Sequence, residues 1–183
     1  YVSNNTPDYH SHVSREGELD WFADGTLRDE PGYLTDLLTA HTLDFIRAHR
    51  DRPFFAFVSH VAAHFPFQGP GDPPHRTLGG KYHDKSKYGP LDESEYRRAY
   101  RDMIEAIDAS VGKMIDELDR LGLRDDTLVF ITSDNGAYSW VGSNEPFKGQ
   151  KGNLLEGGHR VAGIAHWPGH VPSGVTSDAV LLT

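Results

Sequence analysis

The chain has no cysteine. That excludes disulfides, thiolate metal sites and cysteine nucleophiles within these residues. It says nothing of compartment, since disulfide-free proteins occur anywhere. Long apolar runs are also missing. Phe54-Phe55-Ala56-Phe57-Val58 is among the longest, far short of the roughly 20 residues a membrane-spanning helix needs. Positive charge is scarce: 18 Lys+Arg stand against 27 Asp+Glu, a net charge of -9. This argues against nucleic acid and anionic membrane as main partners, because both reward a basic surface. Neither an internal repeat nor a low-complexity segment is present. With 37% hydrophobic and 25% charged residues over 183 positions, the composition is that of one soluble domain or a piece of one. The first residue is Tyr1, with no basic and apolar leader behind it, and the last residues, Ala179-Val180-Leu181-Leu182-Thr183, open an apolar element. The chain therefore reads as an internal part of a larger domain.

Residues 1–32 are polar and rich in turn formers, and predict irregular surface structure with a short hairpin. Between Tyr33 and Arg50, Leu34, Leu37, Leu38, Phe45 and Ile46 recur at helical spacing with His41 on the same face, and Pro53 closes any helix there. Phe54–Ser59 reads as a short buried strand, and the Gly/Pro/His/Lys-rich stretch 69–90 as a loop or lid. Tyr96, Tyr100, Met103, Ile104, Ile107, Val111, Met114, Ile115 and Leu118 step by threes and fours. They predict a helix from about Glu93 to Leu121, capped by Asp92 or Ser94 and stopped at Gly122. Thr127–Thr132 is apolar on both faces and predicts a strand buried between layers. Val161–Trp167 is a third candidate strand. Strand, long helix, strand is the grammar of an α/β fold.

Chemistry is best placed after Thr127–Thr132, at Ser133-Asp134-Asn135-Gly136. In open α/β sheets ligands bind beyond the carboxyl ends of strands, and a carboxylate beside an amide offers hard oxygen ligands for Ca²⁺ or Mg²⁺. Asp-Asn-Gly is equally a common turn sequence. Downstream, Pro146-Phe147-Lys148-Gly149-Gln150-Lys151-Gly152 and Leu154-Leu155-Glu156-Gly157-Gly158-His159-Arg160 combine dense glycine with two lysines. An anionic ligand beside a metal would want that arrangement, although a solvated flexible loop would look the same. His60 and His64 follow the Phe54–Ser59 run, where a histidine can act as acid, base or anion donor or simply as a satisfied structural group, the preferred reading for His60. His10 and His12 could ligate a metal but read more readily as surface residues. Asn4-Asn5-Thr6 fits a glycosylation acceptor pattern, weakened by Pro7.

Taken in order, Pro53-Phe54-Phe55, Ala63-His64-Phe65-Pro66-Phe67-Gln68, the long helix, Thr127–Gly136, Lys148–Gly152, Glu156–Val161 and Trp167-Pro168-Gly169 resemble the sulfatase family, the arylsulfatase-type enzymes of the alkaline-phosphatase-like superfamily. The resemblance covers most of residues 53–170. It implies an alkaline-phosphatase-like α/β sandwich, a mixed, mainly parallel sheet between helices, of which this chain is part. It further implies a sulfuric ester hydrolase acting on a sulfate-ester small molecule or sulfated glycan. Asp134 and Asn135 match the family's strand-end metal ligands, usually for Ca²⁺ with Mg²⁺ as the alternative. Lys151 matches the lysine that contacts the sulfate ester, and His64 a histidine that contacts the sulfate. Glu156, Gly157 and Gly158 match residues that shape the loop presenting Lys151. The roles of Lys148 and His60 stay open.

Two parts of the family's pattern are missing. The formylglycine nucleophile arises from a Cys/Ser-x-Pro-x-Arg motif, and the paired aspartates that complete the metal site lie near the family's amino terminus; neither is in this sequence. Both are expected upstream, so this segment alone should be inactive. A two-zinc phosphatase or phosphodiesterase of the same superfamily is the nearest alternative, but such relatives tend to carry Asp-His where this chain has Asp134-Asn135. A phosphonate monoester hydrolase sharing the formylglycine and a non-catalytic protein binding sulfated glycans are further alternatives. Export to the periplasm or outside the cell is what bacterial relatives suggest; the oligomeric state is not legible.

Overall fold

The computed structural model describes residues 6–82 and 92–180. The Asn4-Asn5 acceptor pattern, residues 83–90 of the expected lid and the end of the apolar run at 181–183 lie outside them. The chain divides into two compact units, Tyr1–Glu117 and Leu118–Thr183.

In the first unit, β1 (Phe22–Ala23) and β2 (Thr26–Leu27) form an antiparallel hairpin. Asp24 and Gly25 turn it at φ 50° and 72°, the left-handed pair that suits the twist of a two-residue hairpin. The hairpin is as expected, but the segment around it is not surface. Tyr9, Val13 and Trp21 are buried, and so are the polar Asp8 and His12. Polar residues can enter a core when every group finds a partner, and here they do. Asp8 Oδ1 accepts from the amides of His10 and Ser11, while Oδ2 accepts from the Gln68 amide group and the His75 and Arg76 amides. His12 donates from Nε2 to the Gly32 carbonyl at 3.0 Å.

Helix α1 (Leu34–His49) buries Leu34, Thr35, Thr39 and Ile46; Leu34 and Ile46 were expected there, while the expected Leu37, Leu38, His41 and Phe45 are half-buried. Helix α2 (Glu93–Arg120) begins on a reciprocal cap. Asp92 Oδ1 accepts from the amides of Ser94 and Glu95, and the Asp92 amide donates to Glu95 Oε2. Those bonds, the Ser94 hydroxyl first, hold the Asp92 carboxyl below its ordinary range. At the far end Gly122 takes φ 70° and the Leu123 amide reaches back to the Leu118 carbonyl, closing the helix as a left-handed terminator does. Ala99, Met103 and Ser110 are buried along α2, with Ile104 exposed. Polar pairs lace α2 to α1. Thr39 and Ser110 share a 2.6 Å hydroxyl bond, and Arg47 Nε donates to Glu117 Oε1 at 2.8 Å.

The run Phe54–Ser59 departs from expectation. It forms no strand, and Phe55 and Phe57 are 85% and 82% exposed. An apolar run is buried as a strand only when something covers both faces, and the described residues supply neither cover.

In the second unit, β3 (Val129–Thr132) pairs antiparallel with β4 (Gly163–His166), Val129 opposite His166 and Thr132 opposite Gly163. The third expected strand is thus present, shortened. The expected burial of the preceding strand on both faces is not: half-buried Val129 and Ile131 alternate with exposed Phe130 and Thr132. Both pairings among the described residues are antiparallel. Helices with small sheets are what a part of an α/β domain presents; the parallel strands of the expected sandwich are not among the described residues.

Candidate functional site

Asp134 and Asn135 sit immediately past the carboxyl end of β3, where the Ser133 hydroxyl donates to the Asn135 carbonyl at 2.9 Å and closes a tight turn. The Asp134 carboxylate is exposed, and neither it nor the Asn135 side chain makes a hydrogen bond or ion pair among the described residues. Gly136 is buried, and its amide donates to the Gly158 carbonyl. A Cβ there would collide with the Gly157 carbonyl oxygen, so only glycine lets the chain leave the turn at this point.

The next residues are stitched to the lysine loop. Asn144 Oδ1 accepts from the Ala137 amide at 2.8 Å, while its Nδ2 donates to the Ala137 carbonyl at 2.8 Å and the Gly149 carbonyl at 3.3 Å. The Lys151 amide donates to the Ala137 carbonyl at 3.2 Å, and the Ser139 amide and hydroxyl both donate to Gln150 Oε1. Lys151 is therefore held by backbone two positions from Asn135. Its ammonium lies 5.8 Å from the centroid of the Tyr138 ring, a cation–π contact.

The glycine-rich turn behind this loop is scaffolding. Helix α3 (Glu156–His159) is a single turn with Gly157 and Gly158 buried. The Gly157 amide donates to the Lys148 carbonyl, and a Cβ on Gly157 would lie 2.5 Å from the Gly149 oxygen. Lys148 is exposed, so its carbonyl is the part of it that the loop uses.

His64 lies in the first unit. Its Nδ1 donates to the Phe65 carbonyl at 3.1 Å, which makes Nε2 the acceptor of the neutral ring and a second donor on protonation. Tyr9 Oη donates to the His64 carbonyl, the Tyr9 amide to Gln68 Oε1, and Tyr33 Oη to the Gln68 carbonyl. The segment from His64 to Gln68 is thus pinned at both ends. His60 donates or accepts through Nε2 at Ser110 Oγ, 3.2 Å away, and burial pushes its imidazole below the ordinary range. Of the terminal histidines, His12 is in the core and His10 bonds the Gly69 carbonyl; among the described residues no group of three or more acidic or histidine side chains could hold a metal.

Sequence reasoning overlooked Asn144 and Tyr9, and gave Gln68 and Gln150 no role beyond their place in the motifs. Each acts through one side-chain amide or hydroxyl on distant backbone, which leaves no local spacing to find.

A family model described as Sulfatase matches residues 2–181. Steryl-sulfatase of Rattus norvegicus is 35% identical over 165 residues, 83% of this chain and 25% of that protein. N-acetylgalactosamine-6-sulfatase of Homo sapiens is 37% identical over 150 residues, 79% of this chain and 25% of that protein. The crystal structure of Ps i-CgsB in complex with k-i-k-neocarrahexaose aligns with a TM-score of 0.66 at 32% identity, over 82% of this chain and 32% of that one. The chain spans about a quarter of the length of these curated relatives.

Proposed function

The chain belongs to the sulfatase family, and from that premise we propose that it is part of a larger catalytic domain that hydrolyses a sulfate ester. The substrate class is a sulfate-ester small molecule or a sulfated glycan, and the fold is a sandwich whose mainly parallel sheet is completed by other segments. One observation carries the reading: the Lys151 amide bonds the Ala137 carbonyl, which ties the lysine loop to the segment that follows Asp134 and Asn135.

Asp134 and Asn135 supply a carboxylate and an amide oxygen, hard donors without a competing partner among the described residues, which suits Ca²⁺, with Mg²⁺ as the alternative. Two donors are fewer than the six to eight oxygens calcium takes, so further ligands come from other segments. When bound, the ion supplies positive charge and Lewis acidity toward sulfate oxygens. The formylglycine nucleophile of the family likewise comes from outside these residues, which hold no cysteine and no Ser-x-Pro-x-Arg.

This chain's own part is electrostatic. Lys151 places an ammonium where negative charge builds on the bridging oxygen as the S–O bond to the alcohol breaks. His64, its Nδ1 committed to the Phe65 carbonyl, donates from Nε2 to a sulfate oxygen as the imidazolium. Fixed donors of this kind act because they need no reorganisation when charge develops.

The test is turnover of matched aryl sulfate and aryl phosphate by the full-length protein, with and without a calcium chelator. Chelator-sensitive turnover of the sulfate is expected. Preference for the phosphate would move the chain to phosphoryl transfer, and no turnover of either would make it a binding protein for sulfated ligands.

A further inference from the structure

Beside Lys151 stand two aromatic side chains that the reading above does not use. Tyr138 and Trp140 are stacked, ring centroids 6.0 Å apart and planes 29° from parallel, and both are half-buried rather than sealed in a core. The Tyr138 carbonyl accepts from the Val141 and Gly142 amides at 3.1 and 2.9 Å, so the pair sits on a closed turn. Ser139, between them, is tied to Gln150 by two bonds. The aromatic pair is therefore held to the segment that carries Lys151, whose ammonium already lies over Tyr138.

We propose that Tyr138 and Trp140 form a platform on which the ring of a sulfated sugar rests while Lys151 meets its sulfate ester. The proposal rests on the sulfate-ester reading. An ammonium within hydrogen-bond distance of the bridging oxygen, about 3 Å, leaves the first ring of the alcohol one bond further out for a ring hydroxyl and two for a hydroxymethyl group. An aromatic face 5.8 Å from that ammonium is where this ring falls. The surroundings select the kind of ring. Gln150 uses its oxygen on Ser139, while its amide nitrogen makes no hydrogen bond among the described residues, and Ser133 and Ser139 are exposed residues whose hydroxyls, already donating to the Asn135 carbonyl and to Gln150, can still accept. A pyranose brings an apolar C–H face for the stacked rings and hydroxyls for these groups. A steroid or alkyl group would strand them, and stranded polar groups cost affinity.

The experiment compares Trp140→Ala and Trp140→Phe with the wild-type full-length protein. Its substrates are galactose 6-sulfate, galactose 4-sulfate and n-hexyl sulfate, an acyclic ester. In Trp140→Ala the ratio of kcat/KM for the better sugar sulfate to that for n-hexyl sulfate falls about tenfold, mostly through KM, while Trp140→Phe keeps most of it. A stack of this kind is worth about a factor of ten. Equal losses on the cyclic and acyclic esters would overturn the platform and leave the sulfatase reading standing. If the wild type hydrolyses no sulfate ester, that reading fails, and fluorescence decides the platform separately. A change on titration with galactose 6-sulfate, present in the wild type and absent in Trp140→Phe, supports it; its absence in both overturns it.

Discussion

Tyr9 Oη donates a 3.0 Å hydrogen bond to the backbone carbonyl of His64, 55 positions away in sequence. Tyr9 is fully buried, and that burial pushes its phenol well above the ordinary range, so the proton it donates stays in place at any working pH. The same residue's amide holds Gln68. One tyrosine thus fixes the start and the end of the segment carrying the histidine proposed to contact sulfate.

Tyr9→Phe keeps the ring and deletes the donor. It should lower stability by about 1–2 kcal/mol, the range for a buried carbonyl left unsatisfied, read from urea unfolding of the full-length protein. If His64 works as proposed, kcat also falls severalfold with KM nearly constant. Wild-type stability and kcat would mean the bond positions nothing.

Lys151→Ala should lower kcat by about 10²-fold, the scale for removing one preorganised donor to developing charge. Lys148→Ala is the control in the same loop. Its backbone carbonyl holds Gly157 while its exposed side chain has no place in the proposed chemistry, so its kcat should stay within about twofold. Comparable losses in the two variants would remove the special role of Lys151.

Asn144→Ala removes three hydrogen bonds at once, two to Ala137 and one to Gly149. A loss of about 2–3 kcal/mol is expected, with faster hydrogen exchange at the Ala137 amide. Asn144→Asp keeps the acceptor but not the donors and should fall between alanine and wild type. If both variants protect Ala137 as well as asparagine does, the stitch is not what holds the loop.

Stability should decline as pH drops below about 6.5. Burial holds the imidazoles of His12, His60 and His75 below their ordinary value of 6.5, so over that interval the unfolded chain binds more protons than the folded one. Their stabilising contribution is complete above the unfolded value and is lost as pH falls through the folded one. Glu30 does not mask this. Burial raises its carboxyl, but bonds from the Trp21 indole and His41 outweigh that and hold it below 4.5, so its contribution disappears only in more acidic solution. Urea midpoints at pH 8 and pH 5.5 should differ, and His60→Gln should narrow the difference. A flat profile would mean these imidazoles titrate as they do in the unfolded chain.

The helices were legible because their signals are local. A 3.6-residue stripe, Asp92 at one end and Gly122 at the other define α2 to within a residue. The hairpin was legible for the same reason. Burial was harder to read. Residues 6–32 look polar, yet Asp8 and His12 are core, Asp8 because partners such as Gln68, His75 and Arg76 arrive from elsewhere in the chain. Phe54–Ser59 erred the other way: its residues favour a strand, but pairing and cover are not properties of the run itself. At the site, the residue types of Asp134, Asn135 and Lys151 were visible. The stitch through Asn144 and Gln150 was not, since single amides acting on backbone follow no period.

Asn144 bonds both the amide and the carbonyl of Ala137, as a neighbouring strand would, and this closes the stem of residues 138–143 whatever lies between. That stretch is thereby a loop of its own, a replaceable cassette joined to the lysine loop through Ser139 and Gln150. Mutation can lengthen it or exchange its aromatic rings, and so retune which esters are accepted, while the spacing between the end of β3 and Lys151 stays set. In a lineage, catalytic geometry and selectivity could then drift at different speeds.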